Sequence, residues 1–158
     1  MDVRIGYSGG LLTGCHSPLT ELHTTYYREL WELGPQFEVE TAEGIAEFVG
    51  RYDPDDDGLW TVVDENQTVR GGIIIDSRNA GEEGLQLRYF ILDPALHGNG
   101  LGRRLLERAM EFCHESGHER VFLWTVVSTS PSITGSEVSI QICTVQSDRQ
   151  FISESRRQ

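Results

Sequence analysis

The residues best placed to do chemistry lie in residues 85–117, which read L-Q-L-R-Y-F-I-L-D-P-A-L-H-G-N-G-L-G-R-R-L-L-E-R-A-M-E-F-C-H-E-S-G. At their centre stand His97, Gly98, Asn99, Gly100, Leu101 and Gly102, followed by Arg103 and Arg104. Alternate glycines tolerate positive φ and let phosphate oxygens approach the backbone. An apolar run precedes this loop and an amphipathic pattern follows it. A strand that passes through glycines into a helix start gathers unpaired N–H groups, and the helix dipole adds partial positive charge. The chemistry implied is anion binding. Arg103 can bond a phosphate or pair with Glu107 four residues on; both geometries are open.

Three phosphate-loop patterns compete. A Walker loop needs a lysine, and the chain has none; every basic side chain is arginine. The same absence excludes a Schiff-base lysine. A dinucleotide fingerprint needs G-x-G-x-x-G in the first strand–helix unit and an acidic residue near the end of the next strand. Here the spacing is G-x-G-x-G, other elements precede it, and Trp124-Thr125-Val126 stands where the acid is needed. A coenzyme A loop is the pattern that remains.

The elements around the loop follow from periodicity. Val3, Arg4 and Ile5 suit a short first strand. From Leu19, the residues Leu22, Tyr26, Tyr27, Leu30 and Leu33 recur at helical steps, and Gly34-Pro35 stops them. Residues 37–40 cross to a second helix that starts near Thr41 and carries Ala42, Ile45, Ala46, Phe48 and Val49. Residues 53–58, with four aspartates, read as a solvated turn; Pro54 and the lack of alternating ligand spacing argue against a metal loop. Residues 59–63 and 69–75 form a hairpin, and Ile73-Ile74-Ile75 predicts burial on both sheet faces. Residues 85–92 and 121–127 are strands joined by the amphipathic helix, the length of a right-handed parallel crossover.

Length and composition bound the class. A chain of 158 residues is one domain's worth, 38% hydrophobic and 24% charged. No apolar run is long enough to span a membrane, and the N-terminus lacks the basic flank and apolar stretch of a signal peptide. Cys15, Cys113 and Cys143 are far apart and odd in number, which argues against a disulfide framework and against zinc. A cytoplasmic location is the simplest expectation. The net charge of −12 is uneven: residues 1–87 hold 17 acidic and 5 basic side chains, residues 88–158 hold 8 of each. An acidic front half repels nucleic acid and anionic lipid and would attract a cationic partner; a merely solvated surface explains it as well.

On these residues the chain resembles a GNAT-superfamily N-acyltransferase. That family's [Gln/Arg]-x-x-Gly-x-[Gly/Ala] signature is matched by residues 97–102 at Gly100 and Gly102, with the usual extra glycine at Gly98; His97 replaces Gln or Arg. His23-Thr24-Thr25-Tyr26-Tyr27-Arg28-Glu29-Leu30-Trp31, Phe37-Glu38 and Leu123-Trp124-Thr125 resemble acetyltransferase domains fused to winged-helix regulators. The resemblance implies a mixed α/β fold, with acetyl-CoA as co-substrate. It implies that the backbone of Ile91 and Leu92 pairs with the pantetheine arm, and that the amides from Gly98 to Arg103 (Gly98, Asn99, Gly100, Leu101, Gly102, Arg103) hold the pyrophosphate, with His97 beside them among the cofactor-binding residues. The acceptor implied is a primary amine of a small molecule or peptide, attacking the thioester directly.

The resemblance covers about residues 3–127. The family continues into a helix with Leu-Tyr-x-x-x-Gly-Phe, whose tyrosine protonates the departing thiolate. Here no tyrosine follows Tyr89, and residues 128–158 hold eight serines. Val138, Ile140 and Ile142 alternate, which predicts at most one strand, with a frayed end from Ser147 on. The expectation is a domain over residues 1–127, an atypical tail over 128–158, and a fold lacking the usual fourth helix and last strands. A reading-frame shift near Val127 would produce such a break; an offset frame over residues 142–148 permits Leu-Tyr-Arg-Ser-Ile-Gly. Without strands beyond it, the fifth strand would lie at an exposed edge and favour a homodimer. No catalytic side chain is assigned: Gln86 stands near the place of the family's Glu, while Glu82, Glu83, Glu38 and Glu40 read better as surface charge. A coenzyme A-binding remnant without turnover is one alternative, and an acidic interaction module in which the glycine loop is only a turn is another.

Overall fold

The computed structural model describes residues 4–7, 14–31, 34–127, 137–145 and 151–157. Its elements run β1 (Arg4–Tyr7), α1 (His16–Trp31), α2 (Pro35–Arg51), β2 (Gly58–Val63), β3 (Val69–Asp76), β4 (Leu85–Leu92), α3 (Leu101–Glu115), β5 (Arg120–Val127), β6 (Glu137–Val145) and β7 (Phe151–Arg157). The strands form one sheet in the order β1-β2-β3-β4-β5-β6-β7. All neighbours are antiparallel except β4 and β5, which are parallel because α3 carries the chain back between them.

Helices cover both faces, so the sheet has two cores. On one side α1 and α2 bury Leu19, Ile45 and Phe48 against Leu59, Ile74 and Ile91. On the other, Leu105, Ala109 and Cys113 of α3 pack on Val62, Ile73, Ile75, Leu85 and Val121. The three isoleucines of β3 are fully buried because alternate side chains enter opposite cores. Gly71 and Gly72 serve close packing: a Cβ at Gly71 would stand 2.7 Å from the Ile91 carbonyl oxygen, and one at Gly72 2.8 Å from Leu19.

Several boundaries differ from the sequence reading. Gly34-Pro35 does not lead into a connecting stretch; Gly34 is the N-cap of α2 and Pro35 lies in its first turn. Proline suits that place, because its fixed φ is helical and its missing N–H would have no partner there. The aspartate turn is held by one buried carboxylate. Asp57 Oδ1 accepts from the Ser77 backbone N–H and hydroxyl, at 2.9 and 2.8 Å, and Oδ2 accepts from the Asp53 N–H at 3.0 Å.

Beyond β5, two strands stand where alternation allowed at most one. The stretch Phe151–Arg157 is too polar to read as a strand, and pairing with β6 is what makes it one. The exposed-edge expectation for β5 is likewise corrected: β6 pairs along it from Arg120↔Thr144 to Val127↔Glu137. No α-helix follows α3 among the described residues.

Cys15 and Cys113 are buried, and Cys113 is a free thiol. Burial pushes the Cys113 thiol up to about 12, so it is a packing group rather than a nucleophile. Leu105 is fully buried at the centre of the α3 interface. Leu105→Ala is expected to cost about 3 kcal/mol in a urea titration; a loss under 1 kcal/mol would contradict this description of the core.

Candidate active site

The site begins where β4 leaves β5. Their parallel pairing runs only from Leu85↔Val121 to Leu87↔Leu123, although β4 continues to Leu92 and β5 to Val127. Residues 88–92 therefore have a β5-facing edge free of strand pairing. On the opposite edge Gly71↔Leu92 and Gly72↔Ile91 keep β4 tied to β3.

Asp93 then turns the chain. Its Oδ1 accepts from the Ala95 N–H at 2.9 Å, starting a single 3-10 turn over Pro94–Leu96, and its Oδ2 lies 3.0 Å from Arg70 Nη2. The His97 ring bonds back, with Nε2 3.0 Å from the Leu92 carbonyl oxygen, which ties the loop to the end of the strand. Gly98 and Gly100 follow with φ of +84° and +73°. Gly100 is the N-cap of α3 and has no side chain to offer, so no side-chain oxygen accepts from the first turn of the helix. That leaves converging backbone donors and a helix dipole at the mouth of the cleft.

Of the nine residues predicted to bind a cofactor, eight border one cleft of about 390 Å³. Ile91 and Leu92 form its strand wall. His97, Gly98, Gly100, Leu101, Gly102 and Arg103 form its loop and helix end. Asn99 is not among the lining residues; its Nδ2 lies 3.5 Å from the Leu96 carbonyl oxygen. Of the two roles open to Arg103, the structure shows the pairing: its Nε donates to Glu107 Oε1 at 3.0 Å on an exposed helix face, while the residue still borders the cleft. An exposed pair of this kind is worth little and can be exchanged for a stronger anion.

The sequence reading missed Tyr26, Tyr27, Phe90 and Leu96, which complete the cleft wall. Both tyrosines do pack, half-buried, against the α1–α2 core as the helical stripe predicts, and they border the cleft as well. Adjacent helical residues point about 100° apart, so two consecutive tyrosines span a face wider than a core stripe, which is the signal that the sequence offers. Their rings meet edge to face at 5.2 Å, and Tyr26 reaches His97 at 6.4 Å. Burial, and then the neighbouring Tyr26, raise the Tyr27 hydroxyl above its ordinary value, so it stays protonated. The carboxylates considered as bases do not converge here: Glu38, Glu40, Glu82 and Glu83 are all exposed, and Glu40 accepts from Gln36. Gln86 is half-buried in β4, opposite Asp76 and Phe122.

A profile of the acetyltransferase (GNAT) family matches residues 17–134. The chain belongs to this family. The match takes in α1, both sheet cores and the glycine loop. Among solved structures, yncA from Salmonella typhimurium, determined with its cofactor acetyl-CoA, superposes with a TM-score of 0.65 at 14% identity, covering 95% of this chain and 98% of that one. An acetyltransferase from Streptococcus agalactiae gives 0.63 at 23% identity, covering 78% and 73%. An aminoglycoside 6'-N-acetyltransferase complexed with coenzyme A gives 0.56 at 18%, covering 79% and 62%. These likenesses establish the shared GNAT fold. No curated protein sequence matches the chain. Among the described residues, no helix of this GNAT protein is long and apolar enough to cross a membrane.

Beside the cleft, α1 buries His23, whose Nδ1 lies 2.8 Å from the Leu19 carbonyl oxygen. Burial lowers its pKa below the ordinary 6.5, outweighing that hydrogen bond. A folded-state pKa below the unfolded one means the unfolded chain binds the proton more readily, so stability falls as pH drops below about 6.5. The thermal midpoint should therefore fall between pH 7 and pH 5, and His23→Gln should reduce that fall. An identical pH dependence in the variant would show that His23 does not titrate with unfolding.

Proposed function

We propose that this chain transfers an acetyl group from acetyl-CoA to a primary amine of a small molecule or peptide. The observation that carries this is one cleft joining two backbone features: the unpaired edge of β4 over residues 88–92, and the uncapped N-terminus of α3. The first suits an amide-bearing pantetheine arm laid alongside β4 as an added strand. The second suits a pyrophosphate, with Gly98 and Gly100 leaving the backbone open to its oxygens. The solved GNAT structures that contain acetyl-CoA or coenzyme A support the choice of cofactor.

Acetyl-CoA supplies the activated carbonyl. The neutral amine nitrogen attacks that carbon, the C–N bond forms as the C–S bond breaks, and the amine's surplus proton ends on the departing thiolate, giving an amide and free coenzyme A. Backbone N–H groups along β4 would stabilise the oxyanion that develops on the carbonyl. The acidic front half, with a net −12 over residues 1–87, suits a cationic acceptor. We take residues 1–127 as the catalytic unit, 128–158 as its atypical tail, and the cytoplasm as its compartment.

One observation favours a second reading, a coenzyme A-binding protein with little turnover. No tyrosine follows Tyr89, and no described helix follows α3. Binding and turnover separate the two readings. Acetyl-CoA at about 100 times its Kd should stabilise the fold by roughly 2.7 kcal/mol under either reading. Gly100→Val should abolish that gain, because a β-branched residue resists the left-handed backbone that Gly100 adopts; undiminished binding by the variant would remove the loop from the site. Thiol release from acetyl-CoA across a panel of amines then decides turnover: amine-dependent release supports the transferase, and its absence at saturating cofactor supports the remnant.

A further inference from the structure

Tyr89 holds a left-handed backbone, with φ of +50°, in the middle of β4. For a bulky aromatic this is a costly conformation, and it persists only where the surroundings fix it from several sides. They do so here. The Arg88 guanidinium donates to the Tyr89 hydroxyl at 2.9 Å and lies 4.8 Å from the ring centroid. Arg88 is in turn bonded at 2.7 Å to Asp76, a buried carboxylate on β3 that also takes Arg51 of α2 at 2.5 Å. The ring meets His23 edge to face at 5.6 Å. The hydroxyl fills the space left by Gly44 of α2: a Cβ there would stand 1.9 Å from it and 3.2 Å from the ring carbon that bears it.

The consequence is a bulge. Ile74 pairs with Arg88 and Gly72 with Ile91, so Tyr89 and Phe90 together face the single residue Ile73. The parity of β4 inverts across it. Leu85 and Leu87 belong to the α3-side core, whereas Tyr89 and Ile91 belong to the α1–α2 side, and Leu92 returns to the α3 side. Phe90 thereby reaches Gly102 at the helix end of the cleft. In a strand, successive amides point to opposite edges, so the inserted residue also decides which N–H and C=O groups of residues 90–92 face the open edge.

We propose that Asp76, Arg88, Tyr89 and Gly44 act as a latch of positioning residues. By fixing the β4 bulge, they set which backbone groups the cleft presents to the arm of its ligand. This rests on the coenzyme A reading of the cleft, and it makes ligand affinity depend on groups that do not line it.

The test is a double-mutant cycle of Gly44→Ala and Tyr89→Phe, read by calorimetric titration of coenzyme A and by amide hydrogen exchange without ligand. Gly44→Ala displaces the ring and should weaken coenzyme A binding roughly tenfold while speeding exchange at Ile91 and Leu92. Tyr89→Phe removes only the hydroxyl and should have a smaller effect in the same direction. The double variant relieves the clash, so it should bind more tightly than Gly44→Ala alone. Wild-type affinity and exchange in both single variants, or lowered melting temperatures with affinity unchanged, would reduce the network to a structural role and overturn the proposal. If Gly44→Ala does not fold, unchanged affinity and exchange in Tyr89→Phe overturn it equally. If the wild-type chain binds no coenzyme A, the cofactor reading fails, and exchange across residues 89–92 decides the latch by itself.

Discussion

Everything in this structure turns on backbone hydrogen bonds that β4 does not make with β5. Two parallel strands paired along their whole length would bury every amide between them. Here the pairing ends at Leu87↔Leu123, and the strands part. Across the splay β4 stays tied to β3 through Gly71↔Leu92 and Gly72↔Ile91, and at Gly71 the Ile91 carbonyl approaches too closely for a side chain. With helices over both faces, the space between the separating strands is where an extended, amide-bearing ligand can enter the sheet.

The glycine loop follows from the same geometry. Once β4 ends, Asp93 and His97 fold the chain back on the strand's last carbonyl, and Gly98 and Gly100 supply backbone angles that other residues resist. The helix then begins without a side-chain cap, directly beside the open strand edge. Two carboxylates of this part of the sheet are committed to arginines: Asp93 to Arg70, and Asp76 to Arg51 and Arg88. Burial alone would raise the Asp76 carboxyl, but the Arg78 amide and the two guanidiniums hold it below its ordinary value. It thus stays charged inside the fold, where it ties α2, β3 and β4 together.

Part of the cleft was legible in the sequence because glycine spacing, the missing lysine and the strand–loop–helix order are local properties, and they marked the glycine loop as a candidate anion site. The resemblance to the GNAT family then implied nine cofactor-binding residues, of which eight border the cleft. Tyr26 and Tyr27 were harder to place, since an aromatic on an apolar helix face looks the same whether it meets a core or a cleft. Gly34-Pro35 does part α1 from α2, but residues 37–40 are helix rather than a connection, because the first turn of a helix accepts proline. The last strand was missed because Phe151–Arg157 lacks an apolar alternation, and pairing with a neighbour is a tertiary event.

Local pattern alone carried the candidate ligand site: alternating glycines between an apolar strand and a helix start suit an anion, and the absence of lysine removes the commonest nucleotide loop. It also determined the two-sided core, through three consecutive isoleucines that no one-faced sheet could bury. Only the tertiary structure decided where the strands part and how β4 changes parity. Tyr89 carries no mark in the sequence that sets it apart from an ordinary strand tyrosine. Its left-handed backbone stands where Gly44 of α2 leaves room for the hydroxyl, His23 of α1 meets the ring, and Arg88, bonded to Asp76 of β3, donates to the hydroxyl.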